Sequence, residues 1–279
     1  MDRVEYTHGR FAAMKSRSGT LTEAREFRLS DALLDRLARA RSVLVLTGAG
    51  MSAESGIPTF RDAQTGIWSK FRPEELATPE AFAADPDRVW RWYEARRKTV
   101  REAQPHAGYL ALVELEALVG ELNVVTQNVD GLHQRAGSHR VWELHGNILR
   151  SKCHLSLRPI GREWIEESPQ TPPPSPYVPE GLARPDVVWF GEALPTAAVE
   201  AAVEAASRCD FCFSIGTSSL VQPAASLPLY ALERGAPLVE INPEHTPLSA
   251  QADQCIRGMA SEVLVTVVSQ LQAAKRENR

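Results

Sequence analysis

The 279-residue chain contains no apolar run near the roughly twenty residues that a membrane-spanning helix needs. It also lacks an apolar signal region at its N-terminus. Basic residues are not in excess, since the formal net charge is −4, whereas a nucleic-acid-binding face requires positive charge. We therefore expect a soluble, cytoplasmic protein that binds neither membranes nor nucleic acid.

Cysteine is scarce, and the four that are present do not form a recognisable metal site. Only Cys209 and Cys212 make a C-x-x-C pair. They lie on a predicted buried strand, where positions three apart face opposite sides. A structural zinc site would also need a second half. We interpret these two thiols, together with Cys153 and Cys255, as reduced core residues of a cytosolic protein.

Apolar strands and amphipathic helices alternate along the chain. This alternation predicts an α/β fold in which helices cover both faces of a parallel sheet. The predicted strands are Val43–Leu46, Val124–Thr126, Val187–Phe190, Phe211–Ile215 and Leu238–Ile241, and the predicted helices include Asp31–Arg41, Pro86–Glu102, Ala107–Val119, Thr196–Ser207 and Ser261–Ala274.

Two segments interrupt the alternation. Residues 68–104 are largely helical and aromatic, and residues 151–183 are rich in proline. We predict that these two insertions form a smaller lobe. The larger lobe of the same domain then comprises residues 29–67, 105–150 and 184–279, and residues 1–28 form a loosely held extension.

The first strand runs directly into a glycine-rich turn. Gly48, Ala49 and Gly50 match the start of a G-x-G-x-x-G/A fingerprint, in which backbone N–H groups face a dinucleotide phosphate. An ordinary strand-to-helix turn explains these residues equally well. The acidic residue that a dehydrogenase places after its second strand is absent, so the chemistry is not expected to be that of a dehydrogenase.

Polar residues follow several other predicted strands. The second predicted strand is followed by Gln127, Asn128 and Asp130. The fourth is followed by Gly216 and then by three small residues with hydroxyl groups. Ligands bind at the carboxyl edge of such sheets, so the set indicates a binding site. His145 stands beside a glycine and is a candidate base, although a lone histidine is more often structural.

The sequence resembles the sirtuins, the NAD-dependent protein-lysine deacylases. The matching segments are GAGMSAESGIPTFRD, TQNVDGLH, ELHGN, RPDVVWFGE, GTSSLVQPA and INPE, within a resemblance that extends from about Leu33 to Val267. It implies a Rossmann-like large lobe, a small lobe, and NAD bound and consumed in the cleft between them.

The resemblance also implies roles for individual residues. His145 would be the general base and would act with Asn128 and Asp130, because imidazole titrates near neutral pH. NAD would be held by Gly48, Ala49, Gly50, Ser52, Thr59, Phe60, Arg61, Gln127, Asn128, Asp130, Gly216, Thr217, Ser218, Asn242 and Ala260. The acyl-lysine peptide would add a strand between segments containing Val188, Trp189, Phe190, Gly191, Glu192, Leu220 and Val221.

The acyl group is suggested by Tyr93 and Arg96, which share a helix face. They resemble the tyrosine–arginine pair of the sirtuins that remove succinyl and malonyl groups, and Ala77 resembles the small residue that widens their pocket. Arg96 would bind the distal carboxylate in a bidentate manner. The alternative is a tyrosine in the lobe interior beside a solvated arginine.

The chain departs from the family at the structural zinc, which sirtuins hold on two C-x-x-C pairs. The corresponding positions here are Cys153, Ser156, Ser175 and Val178. One thiolate cannot replace four ligands, so we predict no zinc. The proline-rich run that contains Pro172 would partly compensate by reducing the entropy of the unfolded chain.

Two other functions remain open. The same cleft would serve an NAD glycohydrolase or ADP-ribosyltransferase, or a catalytically silent NAD sensor. The presence of His145 and of the FGE segment favours deacylation.

Overall fold

The computed structural model of the chain describes residues 27–59 and 73–277. Its main feature is a six-stranded sheet in the order β3-β2-β1-β7-β8-β9, in which every neighbouring pair is parallel. These strands are β1 (Ser42–Thr47), β2 (Glu121–Thr126), β3 (Val141–Glu143), β7 (Phe211–Ile215), β8 (Leu238–Ile241) and β9 (Gln254–Ile256).

The strand order reverses at β1. From β1 the chain continues to β2 and β3 on one side, and later to β7, β8 and β9 on the other. Open α/β sheets bind ligands at such a switch point, outside the carboxyl ends of the strands. A ligand site is therefore expected in the crevice at the carboxyl ends of β1 and β7.

Helices cover both faces of this sheet, as the sequence predicts. Val43 and Val45 of β1 belong to one buried apolar cluster, whereas Leu44 and Leu46 belong to another on the opposite face. Alternate residues of a strand point to opposite faces, so the uninterrupted apolar run of β1 is explained by burial on both sides.

The first cluster is built on α1 (Asp31–Arg39), α6 (Ala107–Leu118) and α11 (Ala260–Glu277), and the second on α9 (Thr196–Arg208) and α10 (Leu227–Glu233). The other described α-helices are α2 (Gly50–Ala53), α3 (Pro73–Leu76), α4 (Pro79–Ala84), α5 (Pro86–Glu102), α7 (Leu132–Ala136) and α8 (Arg162–Glu167). Within the described ranges, no helix is long and apolar enough to cross a membrane.

A second sheet is small and antiparallel, in the order β5-β4-β6, and comprises β4 (Gly146–Cys153), β5 (Pro159–Ile160) and β6 (Ala183–Val187). The prediction of a strand at Val187–Phe190 is therefore wrong, because the strand ends where that segment begins. β6 contains Pro185, which an edge strand tolerates.

Helix α5 packs against this small sheet. Its side chains Trp92 and Tyr93 share a buried cluster with Ile148 of β4, Val187 of β6 and Trp189. The helix starts where the sequence predicts, since the Asp85 side chain accepts a hydrogen bond of 3.0 Å from the Arg88 amide and Pro86 fits the first turn.

Candidate active site

Two glycine turns pack against each other at the switch point. Gly48 N donates to Ile215 O at 3.1 Å and Gly50 N donates to Gly216 O at 2.8 Å. A Cβ atom on Gly50 would lie 2.8 Å from the Gly216 Cα, and one on Gly216, whose φ is +58°, would lie 2.4 Å from the Met51 amide. Glycine is needed here because the two backbones touch.

Behind the first turn lies a buried network centred on the Ser52 hydroxyl. Ser52 Oγ donates to Asp130 Oδ2 at 2.6 Å and accepts from Asn128 Nδ2 at 2.8 Å. Asn128 Nδ2 also donates to Gly48 O at 2.9 Å, and Asp130 Oδ1 accepts from Leu132 N at 2.8 Å. Burial raises the pKa of Asp130, while the Ser52 and Leu132 hydrogen bonds oppose that shift.

His145 is held in one tautomer by a backbone carbonyl. Its Nδ1 lies 2.9 Å from Gln127 O, and because a carbonyl can only accept, Nδ1 carries the hydrogen. Burial lowers the pKa of His145, although the Gln127 hydrogen bond opposes this effect. The neutral ring therefore presents an unprotonated Nε2, which is what a general base requires.

The loops after β7 and β8 lie next to the same crevice. Gln127 Nε2 donates to Thr217 Oγ1 at 3.0 Å, and Asn242 Nδ2 donates to Thr217 O at 2.9 Å. Ser219 adopts a φ of +55°, which is uncommon for a residue with a side chain. Its buried hydroxyl has no hydrogen-bond partner among the described residues, so a polar ligand at this edge would satisfy it.

The segment after β6 is tied to the turn between β3 and β4 and to the turn between α3 and α4. Val188 N donates to His145 O at 2.9 Å, and Phe190 N donates to Ala77 O at 2.9 Å. The Phe190 side chain is 49% exposed. This backbone therefore connects the candidate base to the turn between α3 and α4.

The side chains of Trp189 and Glu192 serve to hold this segment. Arg184 donates to both carboxylate oxygens of Glu192, at 2.5 and 2.9 Å, and lies 3.2 Å from the centroid of the Trp189 ring. Glu192 also accepts a hydrogen bond of 2.8 Å from the Trp189 amide. The side chains of both residues are therefore already engaged within the protein.

Tyr93 and Arg96 lie on α5, next to the Trp189 side chain. Trp189 Nε1 donates to the Tyr93 hydroxyl oxygen at 2.9 Å. Burial raises the pKa of Tyr93 to about 12, and the nearby Arg96 opposes the shift, so the phenol stays protonated at neutral pH. The Arg96 guanidinium lies 5.0 Å from the centroid of the Trp92 ring.

Cys153, Ser175 and Val178 lie around Gly181, since a Cβ atom built there would meet atoms of all three. Burial alone would raise the pKa of Cys153, yet hydrogen bonds from Ser156 and Ser175 lower it to about 7. Val178 packs on the apolar cluster that contains Cys153. Within the described ranges, no group of three or more His, Cys, Asp or Glu side chains is arranged to hold a metal.

Other predicted residues are spread around the crevice. Ala49 precedes α2, Ala260 starts α11, and Thr59 and Ser218 are half-buried. Gly191 is exposed, as are Leu220 at 59% and Val221 at 47%. Phe60 and Arg61 lie outside the described residues.

Several side chains that shape the site were not among the predicted residues. Tyr109 lies 3.0 Å from Ser52 Oγ, and Thr47 and Thr126 share a 2.9 Å hydrogen bond below the glycine turn. Tyr109 is 57 positions from Ser52 in sequence, so no local pattern indicates their contact.

Known proteins resemble this chain over most of its length. The Sir2 family profile matches residues 48–223. NAD-dependent protein deacylase 2 of Pyrobaculum aerophilum is 50% identical over 243 residues, which cover 87% of this chain and 96% of the relative. An NAD-dependent protein deacylase of Thermus thermophilus is 51% identical over 231 residues, covering 81% and 89%.

Solved structures show the same similarity. A Sir2 homologue in complex with NAD has a TM-score of 0.81 and 44% identity, and the match covers 88% of this chain and 95% of that one. A Sir2 mutant with a deacetylated p53 peptide and 3′-O-acetyl ADP-ribose has a TM-score of 0.74 and 32% identity, covering 86% and 97%.

Proposed function

Because this chain belongs to the Sir2 family, a family of NAD-dependent protein deacylases, we propose that it removes acyl groups from protein lysines, with NAD as the co-substrate. The products would be nicotinamide and O-acyl-ADP-ribose. The observation that carries this proposal is the neutral His145, whose Nδ1 bonds the carbonyl of the residue before Asn128.

The residues present fit NAD. The glycine turn at the switch point presents backbone to a diphosphate, and the unpartnered hydroxyl of Ser219 lies on the neighbouring loop. At the ends of β7 and β8, the Asn242 side chain is hydrogen-bonded to the Thr217 carbonyl. Small and polar groups at four strand ends suit an extended ligand with a diphosphate and two riboses.

When bound, NAD supplies a ribose carbon that accepts the acyl oxygen as nicotinamide leaves. We propose that His145 Nε2 removes a proton from a ribose hydroxyl, and that Asn128 and Asp130 orient this ribose. The acyl-lysine backbone would pair with carbonyl groups of the segment that contains Val188 and Phe190, because the amides of these two residues already donate to His145 O and Ala77 O.

For the acyl group we propose that succinyl and malonyl chains are good substrates alongside acetyl. Tyr93 accepts from Trp189, which leaves its phenolic hydrogen for another acceptor. Arg96 lies beside it and is charged. Ala77 is buried in the same apolar cluster and takes little volume, so a distal carboxylate would meet one guanidinium and one hydroxyl.

The test compares Arg96→Met on succinyl-lysine and acetyl-lysine versions of one peptide. Losing a charge-assisted hydrogen bond costs about 2 kcal/mol, so kcat/KM for the succinyl peptide should fall about 30-fold while the acetyl value changes little. Arg91→Met is the matched control, because Arg91 is on the same helix and pairs with Asp87 at 3.0 Å on the surface. Equal loss on both peptides would show that Arg96 does not bind the carboxylate.

The reaction itself is tested by incubating the protein with NAD and an acyl-peptide and identifying products by mass spectrometry. Deacylation predicts O-acyl-ADP-ribose and nicotinamide in equal amounts. Free ADP-ribose without peptide turnover would instead support a glycohydrolase, and a lack of nicotinamide would support an NAD sensor.

We further propose that the protein works without the family's structural zinc. Cys153 supplies one thiol, whose sulfur accepts a hydrogen bond of 3.4 Å from the Ser156 amide, and Ser156 and Ser175 themselves carry only hydroxyls. Zinc prefers four thiolate or imidazole ligands, so this donor set does not fit it.

A further inference from the structure

The first turn of α6 packs against α2, the short helix that follows the first glycine turn. Tyr109 is fully buried, and its ring lies 4.8 Å from the His106 ring and 4.7 Å from the His133 ring, between centroids. His106 Nε2 lies 2.7 Å from Met51 O, so the same turn of helix holds the backbone of α2. The Tyr109 hydroxyl thus approaches Ser52 within a rigid setting.

Counting hydrogens at Ser52 Oγ decides the direction of each bond. A hydroxyl has one hydrogen and two lone pairs. The hydrogen goes to Asp130 Oδ2 at 2.6 Å, and one lone pair receives Asn128 Nδ2 at 2.8 Å. The remaining lone pair faces the Tyr109 hydroxyl at 3.0 Å, so Tyr109 must donate. Ser52 Oγ is then fully satisfied.

We propose that Tyr109 is a positioning residue for the NAD site. Its hydroxyl fixes the rotation of the Ser52 hydroxyl, and through it the orientation of the Asn128 amide and the Asp130 carboxylate. Without this donor, one lone pair of Ser52 Oγ has no partner. The Ser52 hydroxyl can then rotate so that its hydrogen no longer points to Asp130. The inference rests on the proposed function, since it assigns these residues to NAD binding.

A purely structural role for Tyr109 is the alternative, and Tyr109→Phe separates the two because it keeps the ring and removes only the hydroxyl. We expect NAD affinity measured by calorimetry to fall about tenfold, the value of roughly one hydrogen bond. KM for the acyl-peptide should stay unchanged. Tyr230→Phe on α10, whose side chain is 39% exposed, is the control and should bind NAD as the wild type does.

A double-mutant cycle with Ser52→Ala tests the route. If Tyr109 acts through Ser52, Tyr109→Phe should weaken NAD binding no further in the Ser52→Ala background. Additive losses, or an unchanged affinity in Tyr109→Phe, would overturn the inference while leaving the proposed function intact. Absence of NAD binding by the wild-type protein would overturn both. A thermal unfolding midpoint for each variant shows that the comparison is between folded proteins.

Discussion

At the scale of the residue, one backbone carbonyl determines what His145 can do. Gln127 O accepts from Nδ1 at 2.9 Å and so leaves Nε2 without a hydrogen. Burial lowers the pKa of the ring below its ordinary value of about 6.5. The fixed tautomer and the lowered pKa together favour an unprotonated Nε2 at about pH 6.5, where an ordinary imidazole would be half protonated.

The pH dependence of deacylation follows from this. The active form is the neutral ring, so activity is lost as the pH falls through the lowered pKa of His145. We expect the acidic limb of kcat/KM, which reports the free enzyme, to be centred below about pH 6.5, the ordinary value for imidazole. His145→Asn should lose about 10²- to 10⁴-fold in rate.

His139 provides the control, since its side chain is 82% exposed. His139→Asn should leave the pH profile unchanged. An acidic limb centred above about pH 6.5 in the wild type would contradict the assignment of a depressed pKa to the base.

At the scale of the element, a single arginine ties α5 to the small sheet. Arg97 is buried, and its Nε donates to Ile148 O at 2.6 Å. Its Nη2 donates to Arg150 O at 3.0 Å and to Ser151 Oγ at 2.9 Å. The guanidinium also lies 4.8 Å from the centroid of the Trp90 ring. One side chain thus satisfies three acceptors on β4.

Replacing it should destabilise the protein. Arg97→Met keeps most of the volume but leaves buried acceptors unpaired and Glu94 without its 2.5 Å partner. We expect a loss of about 3 kcal/mol in the free energy of unfolding measured in urea.

Arg101→Met is the matched control on the same helix. Arg101 is 55% exposed and lies 3.8 Å from Glu94, and exposed pairs contribute at most about 1 kcal/mol. Similar losses for the two variants would show that the contacts of Arg97 with β4 do not stabilise the protein.

At the scale of the whole molecule, the fold was largely predictable from the sequence. The bounds predicted for β7, β8 and α5 agree with the structure, because apolar runs and caps are local signals. The parallel sheet covered on both faces is confirmed. The strand at Val187–Phe190 was misplaced because β6 carries Arg184, Pro185 and Asp186 and has no alternating apolar pattern.

The candidate site residues were predicted from local patterns. Asn128 and Asp130 follow a predicted strand, and His145 stands beside a glycine. Tyr109 contacts Ser52, and Arg97 contacts β4, across more than fifty positions of sequence. Neither contact has a local pattern, since both depend on how the helices pack. Candidate ligand-binding residues are therefore easier to predict from a sequence than the residues that hold them in position.

The last prediction concerns how the whole protein does without zinc. A chelator should leave its thermal unfolding unchanged, and the purified protein should carry far less than one zinc per chain. Conversely, Cys153 already contacts Ser156 and Ser175, so Ser156→Cys, Ser175→Cys and Val178→Cys together should create a four-thiolate site that binds one zinc and makes stability chelator-sensitive. Adding Cys153→Ser to that variant should weaken zinc binding. Stoichiometric zinc in the wild type would overturn the prediction, because Cys153 and its neighbours would then hold the metal without the other three thiolates.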